Sequence, residues 1–174
     1  MLRTAAHVTP GDVAALRALL HAAFAGDFSD DDWEHSLGGI HAIIEDDSGI
    51  VAHGAVVPRV LDVGTLQLTV GYVEAIAVRP DRQHAGLGTA IMRALNDVIA
   101  RNHALGVLST GEWAFYERLG WERWRGQTWV RHADGRRQRT PDDDDGVMML
   151  RTPRTPPLDL SAPLTCDWRP GDVW

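Results

Sequence analysis

Lysine is absent from this chain of 174 residues; all 17 of its basic residues are arginine. A P-loop, which needs Gly-Lys-Ser/Thr to cradle phosphates, is therefore excluded. Cysteine occurs once, at Cys166, which excludes an intrachain disulfide framework and a cysteine-based zinc cluster. The lone thiol reads as a buried structural group in a reducing compartment. No stretch approaches the ~20 apolar residues that a membrane span needs. The N-terminus shows no charged lead, apolar run and small-residue cleavage site, so the expected location is cytoplasmic. Positive charge is also in deficit, with 24 acidic residues against 17 basic ones and a formal net charge of −7. That balance argues against a nucleic-acid partner, which requires a basic face, and favours cationic ones. His35, His41, His53 and His84 lack paired metal-ligand spacing with a carboxylate, so no metal is expected. They read as packing, surface or sheet residues.

What is present suits a single α/β or α+β domain spanning 1–174. Hydrophobic residues make up 44% of the chain and charged ones 24%, near the averages for globular domains. The acids cluster at Asp27 to Asp32, Asp46-Asp47 and Asp142 to Asp145. Thr9-Pro10-Gly11-Asp12 reads as a helix start, and apolar residues then recur at Val13, Leu16, Leu19, Leu20, Ala23 and Phe24. Ser29 is placed to cap a short helix through Trp33 to Leu37, ended by Gly38-Gly39. Strands are expected at His41 to Glu45, Ile50 to Leu61 and Leu66 to Val78, the first two joined by a hairpin turn at Asp46 to Gly49. A helix from Thr89 to Arg101 follows, then a strand at Val107 to Ser109 and a helix at Glu112 to Leu119. Shorter strands are expected at Thr128 to Arg131 and Val147 to Leu150.

The most informative stretch runs from Ile76 to Ala90. It joins an apolar strand to a helix through Gln83-x-x-Gly86-x-Gly88. Glycines at such a turn let the backbone approach a ligand and aim successive N–H groups at it, while the helix adds the positive end of its dipole. That arrangement can hold a diphosphate without lysine. The dinucleotide fingerprint, with its third glycine, is not matched.

Glu74 in a strand, the glycine turn, an amphipathic helix, a short strand, and then Tyr116 ahead of Leu119-Gly120-Trp121 resemble the GNAT superfamily of acetyltransferases. The resemblance implies acetyl-CoA as acyl donor on a mixed, mostly antiparallel sheet with a splayed fourth strand and flanking helices. It also implies that Ile76, Ala77 and Val78 meet the pantetheine arm. Gln83, His84, Ala85, Gly86, Leu87, Gly88 and Thr89 would hold the diphosphate. Glu74 is the implied general base, acting through a water, and Tyr116 the implied general acid.

The likeness sharpens to the aminoglycoside 2'-N-acetyltransferases, the kasugamycin enzymes included. It is carried by Phe24-Ala25-Gly26-Asp27-Phe28 with Trp33 to His41, by Gly71 to Ala75, and by the tail Cys166 to Trp174. The implied acceptor is a polycationic aminoglycoside, met by carboxylates and aromatic faces. Asp27, Glu74, Ser109, Trp113, Asp143, Asp144, Asp172 and Trp174 are the expected acceptor residues. The tail is expected to fold back into the cleft with the terminal carboxylate of Trp174. A homodimer is implied by the same resemblance. Two other readings compete: a GNAT enzyme for another cationic amine such as a polyamine or amino sugar, and a non-catalytic binder.

Overall fold

Local chemistry sets the first elements. The computed structural model describes residues 1–174, and its first helix begins where a hydroxyl, a proline and an acid follow closely. In helix α1 (Pro10–Ala23) the Thr9 side chain accepts from the Asp12 amide, with Pro10 in the first turn. The cap satisfies an amide that has no partner within the helix. Leu16, Leu19 and Leu20 are its buried residues, a spacing that puts all three on one face.

Helix α2 (Asp30–His35) starts directly after Ser29, whose side chain and the Asp32 carboxylate form a reciprocal capping box. It starts where the sequence placed its cap and stops at His35, short of the expected Leu37. The cap fixes the start, and Gly38 turns the chain out at φ +81.

The chain forms two compact units, Met1–Val57 with Val73–Val98 and Pro58–Tyr72 with Ile99–Trp174. Three long elements contribute to both: strands β3 (Gly49–Val63) and β4 (Leu66–Val78), and helix α3 (Leu87–Asn102).

In the first unit, β1 (Leu2–Ala5) pairs antiparallel with β2 (Ile40–Asp46), from Leu2↔Ile44 to Ala5↔His41. Strand β2 pairs antiparallel with the start of β3, from Ile40↔Val56 to Asp46↔Gly49. The hairpin turn between them holds because Asp46 accepts from the Ser48 amide at 2.8 Å and Gly49 adopts φ +102. Leu16, Leu19, Leu20, Trp33, Ile43, Ile50 and Ala77 form a buried apolar cluster. Helix α3 packs on β3 at Gly54. A Cβ there would lie 2.3 Å from Ile76 Cδ1 and 2.9 Å from both Ile91 Cγ2 and Leu95 Cδ1.

The second unit is built on a mixed sheet. Its further strands are β5 (Leu105–Ser109), β6 (Glu122–Arg123), β7 (Thr128–Arg131), β8 (Arg137–Arg139), β9 (Val147–Arg151) and β10 (Leu164–Asp167), with the short helix α4 (Trp113–Glu117) between β5 and β6. The strand order is β6-β9-β5-β4-β3-β10-β7-β8. The β4–β5 and β10–β7 pairs are parallel, whereas β5–β9, β6–β9, β7–β8 and β10–β3 are antiparallel.

The α+β class expected from the sequence is the one observed. The helix expected at Glu112 to Leu119 is shorter, and β1, β6, β8 and β10 were not anticipated. Each has two to four residues, too short to show a period, and forms through partners distant in sequence. No helix is long and apolar enough to cross a membrane.

Candidate functional site

The glycine turn of the first unit leads from β4, through a 3-10 turn at Pro80–Arg82, into α3. Gly86 has φ +80 and His84 φ +61. A Cβ at Gly86 would meet nothing within 4 Å, so backbone conformation rather than space selects glycine there. The first helical bond runs from Ala90 N to Gly86 O at 3.0 Å. The amides of Leu87, Gly88 and Thr89 consequently have no carbonyl four residues back to accept from them. The first turn of α3 contains no acid that would compete for those amides. Residues 83–86 are exposed and 87–89 half-buried. Accessible amides at a 16-residue helix start fit a diphosphate. Upstream, Ile76 and Val78 are half-buried and Ala77 buried on β4. Glu74, also half-buried, precedes Ala75, a non-glycine residue at φ +53.

Tyr116 lies on α4 in the second unit and is 8% exposed. Its ring meets Phe115 edge-on at 4.9 Å and Trp121 at 6.2 Å. Burial, reinforced by the Glu112 carboxylate and opposed by a hydrogen bond from Thr110, pushes its phenol up to about 12. Tyr116 therefore keeps its proton at neutral pH and can act only as a donor of it.

The second unit also contains a cavity of about 650 Å³ whose wall is acidic and aromatic. Ser109, Thr110 and Trp113 line it from the end of β5 and the start of α4. Asp142, Asp143, Asp145 and Gly146 line it from the loop before β9, and Asp172, Val173 and Trp174 from the tail. Gly146 sits close to Ser109, since a Cβ there would lie 2.8 Å from Ser109 Oγ. Burial raises the Asp143 carboxyl, and the Asp172, Asp142 and Asp144 charges raise it further against a hydrogen bond from Thr140. Acids crowded enough to raise the Asp143 carboxyl favour a cationic ligand.

The tail is held rather than frayed. Trp174 is 7% exposed, and its Nε1 donates to Thr140 Oγ1 at 3.0 Å. Arg59 donates to Val173 O at 2.9 Å and Arg169 to Asp172 O at 2.8 Å. Both guanidinium groups lie over the Tyr72 ring, at 4.5 and 5.7 Å from its centroid. Sequence reasoning did not single out either arginine: Arg59 on β3 is 114 residues from Val173 in the chain, and Arg169, although it lies in the tail, forms no recognisable motif with Asp172.

Ser109, Trp113, Asp143, Asp172 and Trp174, all expected on acceptor grounds, line one cavity. Asp144 does not. Its carboxylate pairs bidentately with Arg139, at 2.9 and 2.7 Å, and accepts from the Thr128 amide and hydroxyl at 2.7 and 2.8 Å. These partners hold it down to about 2, with Arg139 the largest cause. Asp144 is therefore a lock between its loop and β7, whereas its neighbours Asp142 and Asp145 face the cavity. Asp27 lies exposed in the first unit, between Phe24 and Phe28, whose ring centroids are 5.3 Å apart.

A family model described as an acetyltransferase (GNAT) domain matches residues 4–124. An aminoglycoside 2'-N-acetyltransferase of Mycolicibacterium fortuitum is 46% identical over 162 residues, which cover 91% of this chain and 83% of that protein. Among solved structures, a GNAT family N-acetyltransferase (YhbS) from Escherichia coli in complex with CoA is similar with a TM-score of 0.67 at 20% identity, covering 95% and 88% of the two chains. The ribosomal-protein-S18-alanine N-acetyltransferase from Escherichia coli follows at 0.60 and 21%, covering 87% and 94%. A family model that matches most of the sequence, and a relative 46% identical over 91% of it, lead to one conclusion: the chain belongs to the GNAT family of acetyltransferases.

Proposed function

We propose that this acetyltransferase moves the acetyl group of acetyl-CoA to the 2'-amine of an aminoglycoside antibiotic, by direct attack while both substrates are bound, and so confers resistance. The acidic cavity carries the reading. An aminoglycoside is a polycation built of sugar rings, so its site calls for carboxylates to meet ammonium groups and aromatic faces to meet rings. Asp142, Asp143, Asp145 and Asp172 provide the first, and Trp113 and Trp174 the second. Ser109 and Asp27 complete the acceptor set in this reading. The relative from Mycolicibacterium fortuitum, named for this reaction, supports the same acceptor class.

Acetyl-CoA supplies the acetyl group as a thioester. The amides from Gln83 to Thr89 hold its diphosphate, and the backbone of Ile76, Ala77 and Val78 pairs with its pantetheine arm. Glu74 takes a proton from the acceptor's ammonium group through a water, which frees the neutral amine to attack the thioester carbon, and Tyr116 Oη holds the proton that the departing sulfur needs. The Ile76 N–H serves the negative charge that develops on the acetyl oxygen. Holding the two substrates in line supplies much of the acceleration. In this reading the reaction runs in the cytoplasm.

Thiol release from acetyl-CoA, with product mass, tests the proposal against gentamicin, tobramycin, kasugamycin, amikacin and spermidine. A single acetyl added to compounds with a free 2'-amine, and none to amikacin, is the expected result. Activity with kasugamycin alone selects the smaller acceptor, and turnover of spermidine alone overturns the aminoglycoside reading.

A further inference from the structure

Two histidines of the first unit take no part in that scheme, yet they are among its most deeply buried polar residues: His53 is 0% and His41 1% exposed. They meet because of strand register. His41 sits opposite Ala55 across the β2–β3 pair, and Ala55 and His53, two residues apart on β3, share a face. The ring centroids are 5.3 Å apart, and His41 Nδ1 lies 3.0 Å from His53 Nε2. His53 Nδ1 in turn lies 3.0 Å from the carbonyl oxygen of Ala75. A carbonyl only accepts, so His53 carries its hydrogen on Nδ1. Its Nε2 is then bare and accepts from His41 Nδ1–H, which fixes both tautomers. Burial lowers both rings and so favours their neutral form, His53 to about 4.

The acceptor at the end of this chain is a special one. Ala75, at φ +53, occupies a region that residues with a Cβ rarely adopt and that persists only where its surroundings impose it. It stands between Glu74 and Ile76. The Ala75–Ile76 peptide is planar and trans, so its C=O and N–H point in opposite directions. A donor fixed on Ala75 O therefore also fixes the direction of the Ile76 N–H, and polarises it through the peptide. Behind Ile76, the side chain fills the space that Gly54 leaves, as its Cδ1 would be 2.3 Å from a Cβ there. The peptide is thus gripped through its carbonyl by a ring and through the next side chain by a glycine-shaped gap.

We propose that His53 is a positioning residue for acetyl transfer: by donating Nδ1–H to Ala75 O, with its tautomer set by His41, it holds the Glu74–Ile76 kink. That aims the Ile76 N–H at the acetyl oxygen and fixes the base strand beside it. The inference rests on the reading above, in which Ile76 N–H stabilises the acetyl oxygen and Glu74 is the base.

The test compares wild type with His53→Leu, which fills the space without a donor, and His53→Asn, whose Nδ2 can occupy the place of Nδ1. In steady-state assays with acetyl-CoA and gentamicin, His53→Leu should lower kcat by roughly tenfold to a hundredfold, the scale of a misplaced catalytic group. KM for acetyl-CoA should move no more than about twofold, and His53→Asn should recover most of the loss, a rescue that a merely space-filling role would not produce. The amide shift of Ile76 in 15N–1H spectra, read on the same three proteins, needs no turnover. It should move in His53→Leu and return in His53→Asn. Unchanged kcat in a folded His53→Leu, equal losses in both variants, or an Ile76 amide indifferent to the substitution overturns the proposal. Failure of the aminoglycoside reading would show separately, as a wild-type protein inactive with gentamicin whose Ile76 amide still follows the His53 donor.

Discussion

Acid should weaken this protein through His53, and the size of the effect can be worked out. Burial pushes the folded ring down to about 4, against the partial opposition of its bond to Ala75, whereas an unfolded histidine titrates near 6.5. Between those values the unfolded chain carries a proton that the folded one lacks, so stability rises with pH across the window. The contribution is fully present above about pH 6.5 and is lost as pH falls towards the folded value. The separation caps the loss at roughly 3 kcal/mol, of which about 2 kcal/mol falls between about pH 7.5 and about pH 5. His41 and His103, also lowered mainly by burial, add in the same direction, so the measurement must be differential. Urea unfolding followed by tryptophan fluorescence, on wild type and His53→Asn across this range, isolates the ring. The wild-type free energy should fall about 2 kcal/mol further than that of the variant. Parallel curves would refute the reasoning, since they would mean that the folded ring accepts a proton as readily as the unfolded one.

Other outcomes follow from named contacts. Asp143→Asn, which removes a charge from the cavity wall, should raise the acceptor KM by about tenfold, with acetyl-CoA KM unaffected. Asp144→Ala should leave acceptor KM nearly unchanged but lower unfolding free energy by about 1–3 kcal/mol, because it strands Arg139 and the Thr128 amide; a reversed pattern would exchange their roles. Tyr116→Phe should reduce kcat by about a hundredfold with little change in acetyl-CoA affinity, and unaltered turnover would remove Tyr116 from the chemistry. Gly39→Ala should destabilise by about 3 kcal/mol or more, because the added Cβ would lie 2.0 Å from the Val56 carbonyl oxygen, and backbone yields less readily than a side-chain end. Unfolding midpoints equal to wild type would contradict that packing.

What the sequence determined by itself was local or repetitive. The Thr9 and Ser29 caps, the apolar face of α1, the full length of β4 and the turn that opens α3 all depend on neighbours a few residues away, so their patterns lie on the page. The resemblance carried by the glycine turn, the Tyr116 segment and the tail was likewise legible, and with it the family and its donor. Tertiary structure alone decided between identical residue types. Asp143 and Asp144 are adjacent aspartates in one short run, but the approach of Arg139 and Thr128 makes the second a lock and leaves the first in the cavity. Strand register alone brought His41 and His53, two of several scattered histidines, into one buried hydrogen-bonded chain ending on Ala75. Arg59, remote in sequence from Val173, clamps the tail only because β3 and β10 pair. Caps and periodic faces answer to contacts along the chain, whereas a site is a set of distances across it. Those distances exist only once the strands have chosen their partners.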